Sequence, residues 1–65
     1  MNFKLYFRTT SSVDLTVHDV EFDSIESAEA WVVEHINERK ALVFAGSGIV
    51  NPNNIIFAQV SLEGR

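Results

Sequence analysis

The 65-residue sequence contains no cysteine, one proline and three glycines. Without cysteine the chain can form neither disulfide bonds nor thiolate metal sites, which stabilise many small domains. Its longest apolar run, residues 41–45, is too short to cross a bilayer. The first residues lack the apolar core of a signal peptide. We therefore expect a cytoplasmic protein with no membrane partner.

Positive charge is also scarce, because five Lys and Arg residues stand against nine Asp and Glu, for a net charge of −4. Affinity for nucleic acid depends largely on neutralising phosphates, so this balance disfavours direct nucleic-acid binding. Eight of the nine acids lie in residues 14–38, which contain no Lys or Arg. We interpret this stretch mainly as a solvated helix surface with capping acids. A second interpretation is a negative surface that imitates nucleic acid.

Apolar residues, by contrast, are plentiful at 46% of the chain, which is typical of a folded domain and not of a disordered one. We expect residues 1–65 to form a single compact domain. Below roughly 70–80 residues a single core rarely supplies more than about 3–5 kcal/mol. With disulfides excluded, the small size predicts a homo-oligomer, in which a second copy supplies further buried surface.

Periodicity predicts one helix and four strands. Alternation with period two predicts strands at residues 2–9, 13–18, 41–45 and 55–62, and apolar helical spacing covers residues 24–39. Asp23 or Ser24 is the expected N-cap, and a phase slip at His18-Asp19 predicts a β-bulge. The order β-β-α-β-β predicts an α+β fold, with an antiparallel sheet of about four strands and the helix packed on one face.

The sheet face without the helix is the candidate interface or ligand face. We expect it to carry Lys4, Tyr6, Arg8, Val43, Ile55 and Phe57, with Ile56 on the core side. Large apolar groups on an otherwise open sheet favour an interaction surface, here self-association through this face or through an edge strand. Scattered exposed apolar residues are nevertheless normal. The aromatic and basic residues together would also suit a small anionic ligand, such as a nucleotide held between subunits.

No motif for catalysis, for a cofactor or for a metal is present. The serines lie in no nucleophile elbow, and His18 and His35 are not spaced as a ligand pair on the helix. Gly46-Ser47-Gly48 precedes a short apolar segment instead of a helix, and so predicts a hairpin turn, not a phosphate loop. We therefore assign no catalytic, cofactor-binding or metal-binding residue and expect a protein that is not an enzyme.

Two segments resemble parts of small orphan accessory proteins of phages and prophages of Gram-positive bacteria. They are the helix entry, residues 22–31, and the turn with the strand that follows it, residues 49–57, together about a third of the chain. The resemblance implies no particular fold or activity. It implies a phage-type accessory role, in which short chains bind a host protein or sequester a small defence signal.

Three functions follow from these expectations. The first is a non-enzymatic homo-oligomer that binds and modulates a host protein. The second is a sequestering protein, an anti-defence sponge, that holds a nucleotide-like ligand at a subunit interface. The third is an acidic mimic of nucleic acid. No cofactor is expected for any of them.

Overall fold

The computed structural model describes residues 1–63, which form an α+β fold with one α-helix. The elements are β1 (Asn2–Thr9), β2 (Asp14–Glu21), α1 (Ile25–Asn37), β3 (Leu42–Phe44), β4 (Gly48–Val50), a short 3₁₀ helix (Pro52–Asn54) and β5 (Ile55–Leu62). The predicted fold class is confirmed. Among the described residues, no helix has the length and hydropathy that a membrane span requires.

The strands form two antiparallel sheets where the sequence predicted one. β1 pairs with both β2 and β5 and lies at the centre of a three-stranded sheet in the order β2-β1-β5. β3 pairs with β4 as a separate hairpin. The prediction of a single sheet of about four strands is corrected here, because β3 directs its backbone hydrogen bonds to the strand that follows it.

The core lies between the three-stranded sheet and α1. Phe3, Leu5 and Phe7 alternate along β1 and are fully buried, because β1 has a neighbouring strand on each side and the helix above it. Ala28 and Val32, on the inward face of α1, complete this packing. The strict alternation of β1 is thus explained by its central place in the sheet.

The helix begins at a reciprocal serine cap. Ser24 is the N-cap, and its hydroxyl accepts a hydrogen bond from the Ser27 amide at 3.1 Å. The Ser24 amide in turn donates to the Ser27 hydroxyl at 3.1 Å. Two amides that α1 itself cannot satisfy are therefore paired, which fixes where the helix starts.

The β-bulge predicted at His18-Asp19 is confirmed. Val17 lies opposite Leu5 whereas Val20 lies opposite Phe3, so β2 has one more residue than β1 across this step. Asp19 has a positive φ of 58°, the left-handed conformation that one type of bulge uses. The extra residue restores the phase, because it lets apolar side chains on both sides of the bulge face the core.

A second irregularity at the start of β5 reverses a prediction. Arg8 pairs with Phe57 and Thr9 pairs with Ile55, so two residues of β5 occupy one step of β1. Ile55 consequently packs against the core, and Ile56 is 62% exposed. The predictions that Ile55 lies on the uncovered face and Ile56 in the core are both wrong.

The β3–β4 hairpin carries its own inner and outer sides. Its turn is closed by a hydrogen bond from the Ser47 amide to the Phe44 carbonyl at 2.8 Å, and Gly48 takes a φ of 124° that only glycine adopts readily. Phe44 is buried against the core, whereas Val43 is 61% exposed. The prediction that Val43 joins the uncovered face of the main sheet is wrong, because β3 lies outside that sheet.

Candidate functional site

The candidate site is the surface of the three-stranded sheet that faces away from α1, called the open face below. Antiparallel pairing places its side chains in rows across the strands. Thr16, Tyr6 and Gln59 form one row, since Tyr6 pairs with the other two. Asp14, Arg8 and Phe57 form the next row, in which Arg8 is the central member.

An aromatic pair occupies the middle of the open face. The rings of Tyr6 and Phe57 meet edge to face, with centroids 6.0 Å apart and planes at 64°. Tyr6 is half-buried, whereas Phe57 is 51% exposed. This geometry is favourable for two aromatic rings, and it leaves one large apolar surface accessible to a partner.

Arg8 braces the aromatic pair from one side. Its Nη2 donates to the Tyr6 hydroxyl at 3.2 Å, and its Nε donates to Asp14 Oδ1 at 3.4 Å. These contacts, Tyr6 first and Asp14 second, raise the pKa of Arg8 above its ordinary value. Phe57, Tyr6, Arg8 and Asp14 thus form a continuous chain of contacts across all three strands.

An open depression of about 450 Å³ lies beside this chain of contacts. It is lined by Lys4, Tyr6, Thr16, His18, Gln59 and Ser61. His18 already contacts a carboxylate, because its Nδ1 lies 2.7 Å from Glu63 Oε2. Since Arg8 contacts Asp14 and His18 contacts Glu63, Lys4 is the cation of this surface that has most freedom to reach a ligand.

Glu63 connects the end of β5 to the bulge in β2. The Asp19 amide donates to Glu63 Oε1 at 2.8 Å while His18 contacts the other carboxylate oxygen. The amide first, and His18 second, lower the pKa of Glu63 below its ordinary value. The Glu63 side chain therefore connects β5 to β2, the strand at the opposite edge of the sheet. Its carboxylate accepts the amide of Asp19, the bulge residue with a positive φ.

The structure brings four of the six candidate residues together. Lys4, Tyr6, Arg8 and Phe57 share the open face, whereas Val43 and Ile55 lie elsewhere. Sequence reasoning missed two acids of this surface. The hairpin register could have placed Asp14 opposite Arg8, but no local signal in the sequence connects Glu63 to a residue 44 positions earlier.

The described residues contain no group of three or more His, Asp or Glu side chains arranged to hold a metal ion. The open face presents the exposed ring of Phe57, which packs on Tyr6, and Tyr6 in turn accepts a hydrogen bond from Arg8. Comparison with family models, with curated proteins and with solved structures finds no match to this chain.

Proposed function

We propose that this protein is a small non-enzymatic interaction protein that binds another protein through its open face. The observation that supports this proposal is the half-exposed Phe57 ring packed on Tyr6, with Arg8 bracing the pair. Tyrosine and arginine dominate the energetic centres of protein interfaces. A ring that is already held in place also loses little side-chain entropy when a partner covers it.

The charges of the open face favour a protein partner over a strongly anionic ligand. Arg8 and His18 each contact a carboxylate. A phosphate-rich ligand would have to displace Asp14 or Glu63 to reach those side chains. A protein partner can instead cover Phe57 with an apolar side chain and leave both carboxylate contacts at the rim of the contact.

The proposal extends to the biological setting. The resemblance of residues 22–31 and 49–57 to accessory proteins of phages favours a host protein as the partner, bound in the cytoplasm. The small size of the chain and its lack of cysteine favour a homo-oligomer, because a second copy would add buried surface that one core of this size lacks.

A photo-crosslinking amino acid at Gln59, exposed on the β5 side of the open face, tests this proposal in cells that make the protein. We expect a discrete crosslinked product heavier than two copies of the chain. The matched control carries the same amino acid at Ile49, which is 71% exposed on the other sheet, and should give no such product. Replacing Phe57 by alanine in the Gln59 variant should abolish the product, whereas Val43→Ala should leave it unchanged.

The proposal is wrong if position 59 forms crosslinks only to further copies of this chain, or if positions 59 and 49 give the same products. It is equally wrong if Phe57→Ala leaves the yield unaltered, since the ring would then add nothing to the contact. Circular dichroism of each variant confirms that a lost product reflects lost binding and not an unfolded chain.

A second candidate function is the sequestering of a nucleotide-like ligand. The depression lined by Lys4 and Tyr6 favours it, because it places a cation beside a ring that could stack on a base. Addition of ADP should then raise the melting temperature of the wild-type protein and leave that of Tyr6→Ala unchanged. An equal shift in both proteins, or none in the wild type, would exclude this function.

A further inference from the structure

The three-stranded sheet has two free edges with opposite properties. The β2 edge carries the bulge at Asp19 and the acids Asp14 and Glu21, which are features that protect an edge from pairing with another strand. The β5 edge, Ile55–Leu62, contains no charged residue and no proline. Only β5 is therefore a suitable edge for the addition of a further strand.

The backbone of β5 also presents regular hydrogen-bonding groups to solvent. The Glu63 amide donates to the Asn2 carbonyl at 3.0 Å, so the odd-numbered residues of this strand direct their amides toward β1. By the same alternation, Ala58, Val60 and Leu62 direct their amides and carbonyls outward. Phe57–Leu62 pair with β1 without interruption, and this unprotected edge is therefore regular over six residues.

An apolar groove of about 550 Å³ runs between this edge and α1. It is lined by Glu29, Val32, Val33, Ile36, Ala58, Gln59 and Val60. Val33 is 54% exposed at the helix side of the groove, and Ile56 and Leu62 are more than half exposed near the two ends of the strand. A strand added at the β5 edge would bring apolar surface to all three residues.

We propose that the strand added to β5 is the β5 strand of a second copy, paired antiparallel about a two-fold axis at Gln59. This inference rests on the proposed homo-oligomer and names its surface. In this register Ala58 exchanges hydrogen bonds with Val60 of the second copy, and Ile56 lies opposite Leu62 of the second copy. The product is a six-stranded sheet with both helices on one side and both open faces on the other.

Charge and symmetry together favour a second copy as the occupant. An uncharged strand can pair with itself without placing like charges opposite each other, whereas self-pairing of β2 would oppose its own acids. A two-fold axis perpendicular to the sheet also brings groove beside groove, so that Val33 of each copy approaches the same apolar surface. The dimer closes, because the strands left at its ends are the bulged, acidic β2 edges.

Sedimentation of the purified chain tests the inference. We expect the wild type to sediment at about twice the 7.3 kDa of one chain, and the double variant Ile56→Lys/Leu62→Lys to sediment as a monomer, since lysine at an edge strand opposes pairing. Val13→Lys/Ile49→Lys is the matched control. It introduces the same charge at two exposed apolar positions outside β5 and its groove, and should remain dimeric.

A synthetic chain with an N-methyl group on Val60 is a second test, because it removes one outward amide and changes no side chain. This chain should also be monomeric while keeping its circular dichroism. A monomeric wild type, or a dimer that persists in both β5 variants, overturns the inference. Neither result affects the crosslinking expected at the open face, and a loss of that crosslinking with an intact dimer would refute the proposed function alone.

Discussion

Glu63 shows how one residue can stabilise a feature two strands away. Its carboxylate accepts the Asp19 amide and contacts His18, so the end of β5 supports the bulge that keeps β2 in phase with the core. Asp19 has a positive φ, which is uncommon for a residue with a side chain. Glu63 accepts a hydrogen bond from the amide of Asp19. This bond and the contact with His18 both favour the charged form of Glu63.

Stability should therefore fall in acid through Glu63. Its pKa is lower in the folded than in the unfolded chain, so its contribution is present above the ordinary value of 4.5 and is lost as the pH falls below that value through the folded pKa. When the pH is lowered from 7 to 3.5, the urea concentration at the unfolding midpoint should fall less for Glu63→Gln than for the wild type.

Glu34→Gln is the control for this comparison, because it removes a carboxylate that is exposed on α1 and lies outside the groove beside β5. The fall in its urea midpoint between the two pH values should match that of the wild type. If Glu63→Gln also matches the wild type, Glu63 contributes nothing to the acid sensitivity. A Glu63→Gln variant that is destabilised by the same amount at pH 7 and at pH 3.5 would point to geometry and not to charge.

At the scale of elements, the β3–β4 hairpin is attached to the rest of the molecule by the buried side chains of Leu42, Phe44 and Val50. Phe44 contacts Phe7, with centroids 6.1 Å apart, and Trp31 of α1, with centroids 5.7 Å apart. Within residues 1–63, the hairpin pairs its backbone with no strand of the main sheet. Its position therefore depends on the burial of these side chains more than on hydrogen bonds.

Phe44→Ala should consequently destabilise the protein strongly, by about 3–5 kcal/mol, the usual cost of removing a buried phenylalanine ring. Trp31 is the only tryptophan, so its fluorescence reports the loss directly. The emission should shift to the red even without denaturant, because the ring that covers Trp31 is gone. Val43→Ala, one residue away on the exposed side of β3, should change stability by less than about 0.5 kcal/mol.

An unchanged emission maximum in Phe44→Ala would contradict this account and would mean that the hairpin is held by other contacts. The same would follow if Phe44→Ala and Val43→Ala had equal unfolding midpoints. Either result would also weaken the division of the molecule into a main sheet and a separately attached hairpin.

Local sequence patterns predicted the strands and the helix. The register and the sheet of some residues depend instead on pairing between strands that are distant in the sequence, which these patterns do not show. Alternation in β1 and the phase slip at Asp19 identified the first hairpin and its bulge, because both signals lie within neighbouring residues. The exchange of Ile55 and Ile56 was missed, since both are isoleucine and only the register against Thr9 distinguishes them. Val43 was misplaced for a similar reason, because alternation gives the side of a strand and not the sheet that it joins.

The open face was predicted in part for the same reason. Tyr6 and Arg8 lie two residues apart on one strand, so alternation alone placed them on one side. Phe57 joined them correctly because the end of β5 beyond its irregularity keeps strict alternation. The contacts from Asp14 and Glu63 required the order of the strands, which no spacing within the sequence provides.

At the scale of the whole molecule, the distribution of charge agrees with a dimer built on β5. The acids of residues 14–38 lie on β2, on α1, in the segment between them and at the C-cap of α1, while β5 has no charged residue. Two copies joined at β5 keep the two acidic β2 edges at opposite ends of the sheet. Repulsion between these two edges is therefore kept small, and they oppose the addition of a third copy.

A chain of 65 residues that unfolds from a dimer should have a melting temperature that depends on its concentration. Dissociation accompanies unfolding, so each tenfold rise in concentration should raise the melting temperature by about 5 °C. Calorimetry across a hundredfold range measures this shift. Ile56→Lys/Leu62→Lys should melt at one temperature throughout, while Val13→Lys/Ile49→Lys should follow the wild type. A wild-type melting temperature that stays constant across the range would contradict both the dimer and the role of β5, because a folded monomer gains nothing from higher concentration.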